Sequence, residues 1–323
     1  MTDTPDTGWQ APPTIRRATV ADLAPAYDIF CEHERLESPD APAPPPGDVP
    51  PWLRHEFATG DMRVAEREGQ VVGFAALLRR GPVDYLAELF VRAAQQSTGV
   101  GTALLRRILA PVACRGPSGP SGPSGLNDVG ERRERIRCTL ASRDPRALAL
   151  YVRTGMRPRW PNLWLKASVA GLRRPLHSGV RPVEAARGDP ELVRWDAAVG
   201  GRHRPDEHAY WVRQDGIPLW FERRGRRVGY AYVRPHTGSI WSPDTTTVGP
   251  VGVASPVDAE ECVCAAVAFA REHSESVRLA IPGPHPGLRA LLDAGLRIVD
   301  VETFVSTAAF VDPERYVGSG DLF

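Results

Sequence analysis

The sequence predicts an α+β protein of two domains that repeat one plan. Three observations carry the prediction. The chain has 323 residues, about twice a domain of roughly 100–200 residues. Alternating β-type runs and helical-period runs appear in both halves. Two short motifs of the first half recur, in the same order, in the second.

The elements follow in order. Residues 1–13 are polar and Pro/Thr-rich and are expected to be disordered, with no charged-then-apolar leader pattern. Thr14–Thr19 reads as a strand and Val20–Leu36 as a helix. The Pro39–Pro46 run is too proline-rich for helix or central strand and predicts an extended loop. Arg63–Arg67 and Val71–Leu78 flank Glu68-Gly69-Gln70, a hairpin signal. Tyr85–Val91 is a further strand. From Gly99 to Val112, Val100, Ala103, Leu104 and Ile108 fall at helical spacing, with Arg106 and Arg107 outward. The triplet repeat Gly116–Gly125 cannot pack a core and marks a flexible insertion over 115–134. Arg135–Ala141 predicts a strand, Pro145–Thr154 a helix and Trp160–Ser168 a strand; 171–179 is the expected linker between domains 14–170 and 180–323.

The recurrence sets the second half against the first. Val72-Gly-Phe-Ala75 returns as Val228-Gly-Tyr-Ala231, 156 positions on (73 to 229), and Gly155-Met-Arg157 returns as Gly295-Leu-Arg297, 140 positions on (155 to 295). The shorter second offset is what an insertion confined to the first copy produces.

Composition narrows the function. Lys+Arg 40 against Asp+Glu 39 gives net charge +1, without the cationic excess a broad nucleic-acid surface needs. No apolar run approaches the ~20 residues that span a bilayer. The five cysteines include no CxxC pair, which fits free thiols in a reducing cytoplasm better than zinc or disulfides. A cytoplasmic protein without metal, membrane or nucleic-acid partner is expected.

The strongest local signal runs from Glu88 to Leu105. A strand enters the loop Gln96-Ser-Thr-Gly99-Val-Gly101, which opens an amphipathic helix. Such a loop offers unpaired N–H groups at the positive end of a helix dipole, and glycine lets backbone approach an anion. No acidic residue lies between Ala93 and Leu105. A P-loop lacks its Gly-Lys-Ser/Thr here, and a dinucleotide fingerprint lacks its third glycine. An ordinary strand–turn–helix joint remains the plain alternative.

The loop resembles the Q/R-x-x-G-x-G/A acetyl-CoA loop of the GCN5-related N-acetyltransferase (GNAT) family. Asp144-Pro-Arg-Ala147-Leu-Ala-Leu-Tyr151-Val-Arg-Thr-Gly155-Met156 resembles that family's N-x-x-A-x-x-L-Y-x-x-x-G-F segment, and Val71-Val-Gly-Phe74 its second-to-third-strand turn. The likeness covers roughly 14–168. It implies two domains, each a mixed, mostly antiparallel twisted sheet flanked by helices. It implies that Leu89, Phe90 and Val91 lie on the strand that pairs with the pantetheine arm. By the same likeness Gln96, Ser97, Thr98, Gly99, Val100, Gly101 and Thr102 hold the pyrophosphate, and Asp144 and Ala147 contact the coenzyme. Asp144 stands where the family has Asn, and Gln96 brings no charge. The implied chemistry is direct transfer of acetyl from acetyl-CoA to a primary amine in a ternary complex, with Tyr151 as general acid and Glu88 as a candidate base. A packed helix tyrosine and a solvent-facing glutamate are the plain readings of those two. Glu32, Glu34 and Glu37 could attract a cationic amine or simply face water. Trp52, Trp160 and Trp164 could line an acceptor pocket or belong to the core.

In the second half the loop is missing. Asp258, Glu260 and Glu261 stand at the helix start, and Leu291 stands where Tyr151 stood. A degenerate copy is expected there, which completes the sheet, shapes the cleft or forms a dimer face. His203 and His208 read as surface histidines, Cys262 and Cys264 as core. The expected partners are acetyl-CoA and an amine-bearing small molecule or protein amine, with a homodimer as a further option. The alternative is a non-catalytic acyl-CoA-binding or regulatory module.

Overall fold

The computed structural model describes residues 12–37, 48–110, 135–172, 176, 178–240 and 242–323. The expected disorder of the first residues, the proline loop, the 115–134 insertion and part of the linker fall outside them. The chain forms two compact units, one of residues 1–78 with 88–122 and one of 79–87 with 123–323.

In the first unit β1 (Thr14–Arg17) pairs antiparallel with β2 (Asp61–Arg67), and β2 with β3 (Gln70–Arg80). The β2–β3 hairpin turns on Glu68 (φ 51°) and Gly69 (φ 76°). Two successive left-handed residues match the right-handed twist of the flanking strands. A single 3-10 turn at Val20–Asp22 leads into α1 (Leu23–Glu37). The Asp22 carboxylate accepts from the Thr19 backbone N–H (2.7 Å) and is gripped by Arg16 (2.7 and 2.8 Å). Arg16 is the main cause that draws the Asp22 pKa down to about 2. The helix α2 (Pro51–Thr59) has Pro51 in its first turn, where the missing N–H costs nothing. Leu23, Ala26 and Ile29 of α1 and Leu53 of α2 pack on Met62, Val64, Phe74 and Ala76 of the strands. β4 (Val83–Val91) ends in this unit and leads to α3 (Val100–Ile108), which buries Val100, Leu104, Leu105 and Ile108.

The second unit holds the first part of β4, then β5 (Ile136–Ala141), α4 (Pro145–Arg153) and β6 (Arg157–Ser168). There follow β7 (Arg181–Glu184), α5 (Pro190–Gly200), α6 (Pro205–Arg213), β8 (Ile217–Arg223), β9 (Arg226–Arg234), β10 (Thr246–Val253), α7 (Ala259–Ala270), β11 (Ser276–Pro282), α8 (Leu288–Asp293), β12 (Arg297–Ser306) and β13 (Tyr316–Val317). From β7 on, the order of elements repeats that from β1 on. The strands of this unit run β4-β5-β12-β6-β11-β10-β9-β8-β7, with β13 on β10. Among the described residues of this unit, only β4–β5 and β10–β11 pair in parallel. The fold is therefore α+β, with a mixed and mostly antiparallel sheet flanked by helices.

The centre of that order is an exchange. β12, from the second half of the sequence, lies between β5 and β6 of the first, pairing Ser306 with Cys138 on one edge and with Arg157 on the other. β6 in turn lies between β12 and β11, pairing Ser168 with Ser276. Each half supplies a strand that completes the other. The core of the unit gathers around α7, with Cys262, Val263, Ala266 and Val267 buried against Leu219, Phe221, Ala231 and Leu279. Cys262 and Cys264 are both buried in it.

His208 departs from expectation. It is 4% exposed rather than on the surface, with Nδ1 2.9 Å from the Tyr232 hydroxyl and Nε2 3.3 Å from Asp196. Its contacts are distant in sequence, so local pattern gave no sign of them.

Candidate functional site

The strand β4 positions the first group of candidate residues. The Arg92 N–H donates to Val72 O (2.9 Å) on β3. Strand alternation then turns the backbone groups of Phe90 and Arg92 toward β3 and those of Leu89 and Val91 toward the opposite edge. Gly73 makes the close approach of the two strands possible: a Cβ there would lie 2.8 Å from Phe90 O. Residues 88–91, Glu88 included, are half-buried. The Phe90 ring packs among Phe30 (5.5 Å), Phe74 (5.7 Å) and His33 (5.1 Å).

Beyond β4 the chain turns through Ala93–Gln95 and the exposed loop to α3. Ser97 (φ 62°) and Gly99 (φ 86°) are both left-handed. Gly99 is the N-cap of α3, so no side chain caps the first turn. The N–H groups of Val100, Gly101 and Thr102 thus open the helix at its positive end, with no acidic residue in that turn. A Cβ at Gly99 would meet nothing within 4 Å, so the space beside this residue is open. Thr98 Oγ1 donates to Gln95 O (2.7 Å), and Gln95 Oε1 accepts from Arg67 (2.6 Å). These bonds brace the loop from behind. Its geometry fits a diphosphate held by backbone amides.

Two residues of α1 grip the end of β4. Glu32 accepts from Ala93 N–H (2.7 Å) and from Arg92 Nη1 (3.1 Å). His33 Nε2 lies 2.7 Å from Val91 O. A carbonyl only accepts, so Nε2 carries the proton and the neutral ring keeps its lone pair on Nδ1. Sequence reasoning weighed Glu32 as an acceptor-site charge and missed His33. Its signal was spacing: His33 follows Phe30 by three positions, on the same helix face.

The remaining candidates lie together on α4 in the second unit. Asp144 is the N-cap: Oδ1 accepts from Arg146 N–H (2.9 Å). The same carboxylate binds the Arg146 guanidinium at 2.8–3.0 Å. The Asn-to-Asp departure thus keeps the cap, and its charge is matched locally. The N–H of Ala147 donates to Asp144 O (3.1 Å). Tyr151 is 6% exposed, and the helix ends beyond it at Gly155, left-handed at φ 89°. At the start of α7, the second-half counterpart of α3, Asp258 and Glu261 each pair with Arg223 at 3.0 Å. Among the described residues no cluster of His, Cys, Asp or Glu could hold a metal ion, and no helix is long and apolar enough to cross a membrane.

Comparison with known proteins fits this geometry. Residues 58–155, from the end of α2 to the end of α4, match the family model described as acetyltransferase (GNAT) domain. The chain carries a GNAT domain. The matched span includes β4, the Gln96–Gly101 loop and α4. No curated protein matches the sequence. Among solved structures, a Pyrococcus horikoshii protein assigned as an acetyltransferase is similar at TM-score 0.67 and 16% identity, over 98% of each chain. A tandem GNAT protein from the clavulanic acid biosynthesis pathway is similar at TM-score 0.56 and 15% identity, over 91% of this chain and 98% of that one. A GCN5-related N-acetyltransferase from Sphaerobacter thermophilus reaches TM-score 0.54 at 15% identity, over 94% and 98%. At such identities the likeness is one of fold, and it extends beyond the GNAT domain to nearly the whole chain. Acyl transfer from an acyl-CoA is the chemistry of the GNAT acetyltransferases.

Proposed function

We propose that the protein is an N-acetyltransferase that moves acetyl from acetyl-CoA to a primary amine by direct attack in a ternary complex. The observation that carries the proposal is the uncapped, acid-free first turn of α3 behind the left-handed Gly99, just past the end of β4. In this reading the N–H groups of Val100, Gly101 and Thr102 bind the diphosphate, with Gln96, Ser97 and Thr98 around it. Leu89 and Val91 pair with the extended arm of the coenzyme, as a strand edge pairs with an added strand. Acetyl-CoA supplies an activated thioester, and Asp144 and Ala147 are carried over as coenzyme contacts by the likeness of their segment alone.

The residues of the chain must then move a proton. An alkyl amine near pH 7 is mostly protonated, with pKa ~10.4, and reacts only once deprotonated. Glu88, half-buried on β4, and His33, with its Nδ1 lone pair, are the candidate proton acceptors. Tyr151 is the candidate donor to the departing thiolate, on the strength of its motif.

The test is release of free thiol when protein, acetyl-CoA and a panel of amines are mixed. Thiol release with one class of amine supports the proposal and names the acceptor. Coenzyme binding with no release across a broad panel sinks it in favour of a non-catalytic acyl-CoA-binding module.

A further inference from the structure

The two halves can be laid over each other strand by strand. β5 and β11 correspond at a shift of 140 (136 to 276), as do β6 and β12 (157 to 297). β4 pairs Asp84 with Arg137, and β10 pairs Thr246 with Val277. Since 277 is 137 shifted by 140, Thr246 answers to Asp84, a shift of 162 (84 to 246). An independent bond gives the same result. Arg92 N–H donates to Val72 O at 2.9 Å, and Ala254 N–H donates to Val228 O at 2.9 Å. Val228 is the repeat of Val72, so Ala254 answers to Arg92 at the same shift of 162 (92 to 254). Leu89, Phe90 and Val91 therefore answer to Val251, Gly252 and Val253.

That second edge is taken. β10 pairs with β11 only at Thr246 and Thr247. Past that point β13 lies antiparallel on β10, Val317 opposite Val251 and Tyr316 opposite Gly252. The Val253 N–H donates to Arg315 O (3.1 Å), and the Val253 carbonyl accepts from the Arg315 guanidinium (3.2 Å). The segment is anchored over its length. Arg202 and Arg204 donate to Phe323 O (2.5 Å each), and Arg204 is held by Asp196 at 2.6 and 2.9 Å. Arg234 pairs with Asp321 (2.7 Å) and donates to the Ser319 carbonyl. The Phe323 ring stacks on Phe304 at 4.7 Å. Tyr316, Val317, Ser319, Leu322 and Phe323 are all buried.

We infer that Arg315–Val317, anchored by the residues up to Phe323, is a built-in occupant of the second half's coenzyme edge, so that the chain takes one acyl-CoA, on β4, and none on β10. This rests on the proposed reading of Leu89–Val91 as the coenzyme edge. The edge keeps its property of accepting an extended partner and receives that partner from its own chain. The acidic start of α7, tied to Arg223, leaves no amide turn for a diphosphate there.

Calorimetry and residue-resolved hydrogen exchange of the full chain, with and without acetyl-CoA, test this. The expected result is one acetyl-CoA per chain, new protection at Leu89–Val91, and a Val253 amide that is already slow without coenzyme and unchanged by it. Two acetyl-CoA per chain, or a Val253 amide that exchanges freely until coenzyme is added, overturns the inference. If acetyl-CoA fails to bind at all, the reading of Leu89–Val91 fails. The occupancy of β10 is then decided by the free chain alone: a slow Val253 amide upholds it and a fast one refutes it.

Discussion

Gly99 does two things with one absent side chain. It adopts φ 86° and it leaves the first turn of α3 without a cap. A β-branched residue in left-handed conformation costs ~1–2 kcal/mol, which strains the turn that presents the amides. Gly99→Val is expected to raise the Kd for acetyl-CoA roughly tenfold or more, since about 1.4 kcal/mol is a factor of ten; calorimetry on the variant reads it. Tyr151 is buried, so Tyr151→Phe keeps the packing and removes only the hydroxyl. The expected loss in kcat is ~10²–10⁴-fold with the melting temperature held; unchanged turnover removes the proton-donor role. His285 offers a pH signature. Burial is the larger cause that lowers its pKa from 6.5 to about 4, against a small opposing pull from Asp312. The unfolded chain therefore binds the extra proton between pH 6.5 and 4. The stability of the neutral buried ring is fully present above pH 6.5 and is lost as pH falls toward 4, by up to ~3 kcal/mol at 1.36 kcal/mol per pH unit. Denaturation midpoints measured across that window should fall with pH, and His285→Gln should flatten the fall.

Among the elements, those with strong local signals could be read from the sequence. The β2–β3 hairpin, β4, α3 and α4 each carry a turn residue, an apolar period or a cap that fixes them, and the structure has all four. The turn at Gln96–Gly101 was legible for the same reason: glycine announced it, and Gly99 is the left-handed N-cap of α3. α2 was not. It is nine residues long, starts on a proline without a side-chain cap, and takes its stability from Leu53 in the core rather than from its own period. The roles of His33 and His208 were hidden because their partners, Val91 and Asp196, are reached only through tertiary packing. β12 was legible in outline, as the recurrence of Gly155-Met-Arg157, but its register between β5 and β6 is wholly non-local. Phe304 marks how much that register holds: it is 1% exposed and stacks on Trp160 at 4.5 Å. Phe304→Ala is expected to cost ~3–5 kcal/mol in urea unfolding, and a loss under 1 kcal/mol would show that the strand is dispensable.

Across the molecule, the exchange of β6 and β12 makes the two sequence halves interdependent. A fragment of residues 1–170 lacks β12, so β5 and β6 lose the strand that lies between them. Bare strand edges pair with one another and aggregate. The fragment is expected to be insoluble alone and soluble when residues 178–323 are produced with it; a soluble, folded 1–170 fragment would contradict the exchange. The two halves are thus joined through exchanged strands rather than standing in series.

The crossed strands also set a timetable for the nascent chain. Cys138 leaves the ribosome 168 positions before Ser306, the neighbour it pairs with (138 to 306). The middle of the sheet therefore closes late, and until then the early strands must be kept from pairing with the wrong chain.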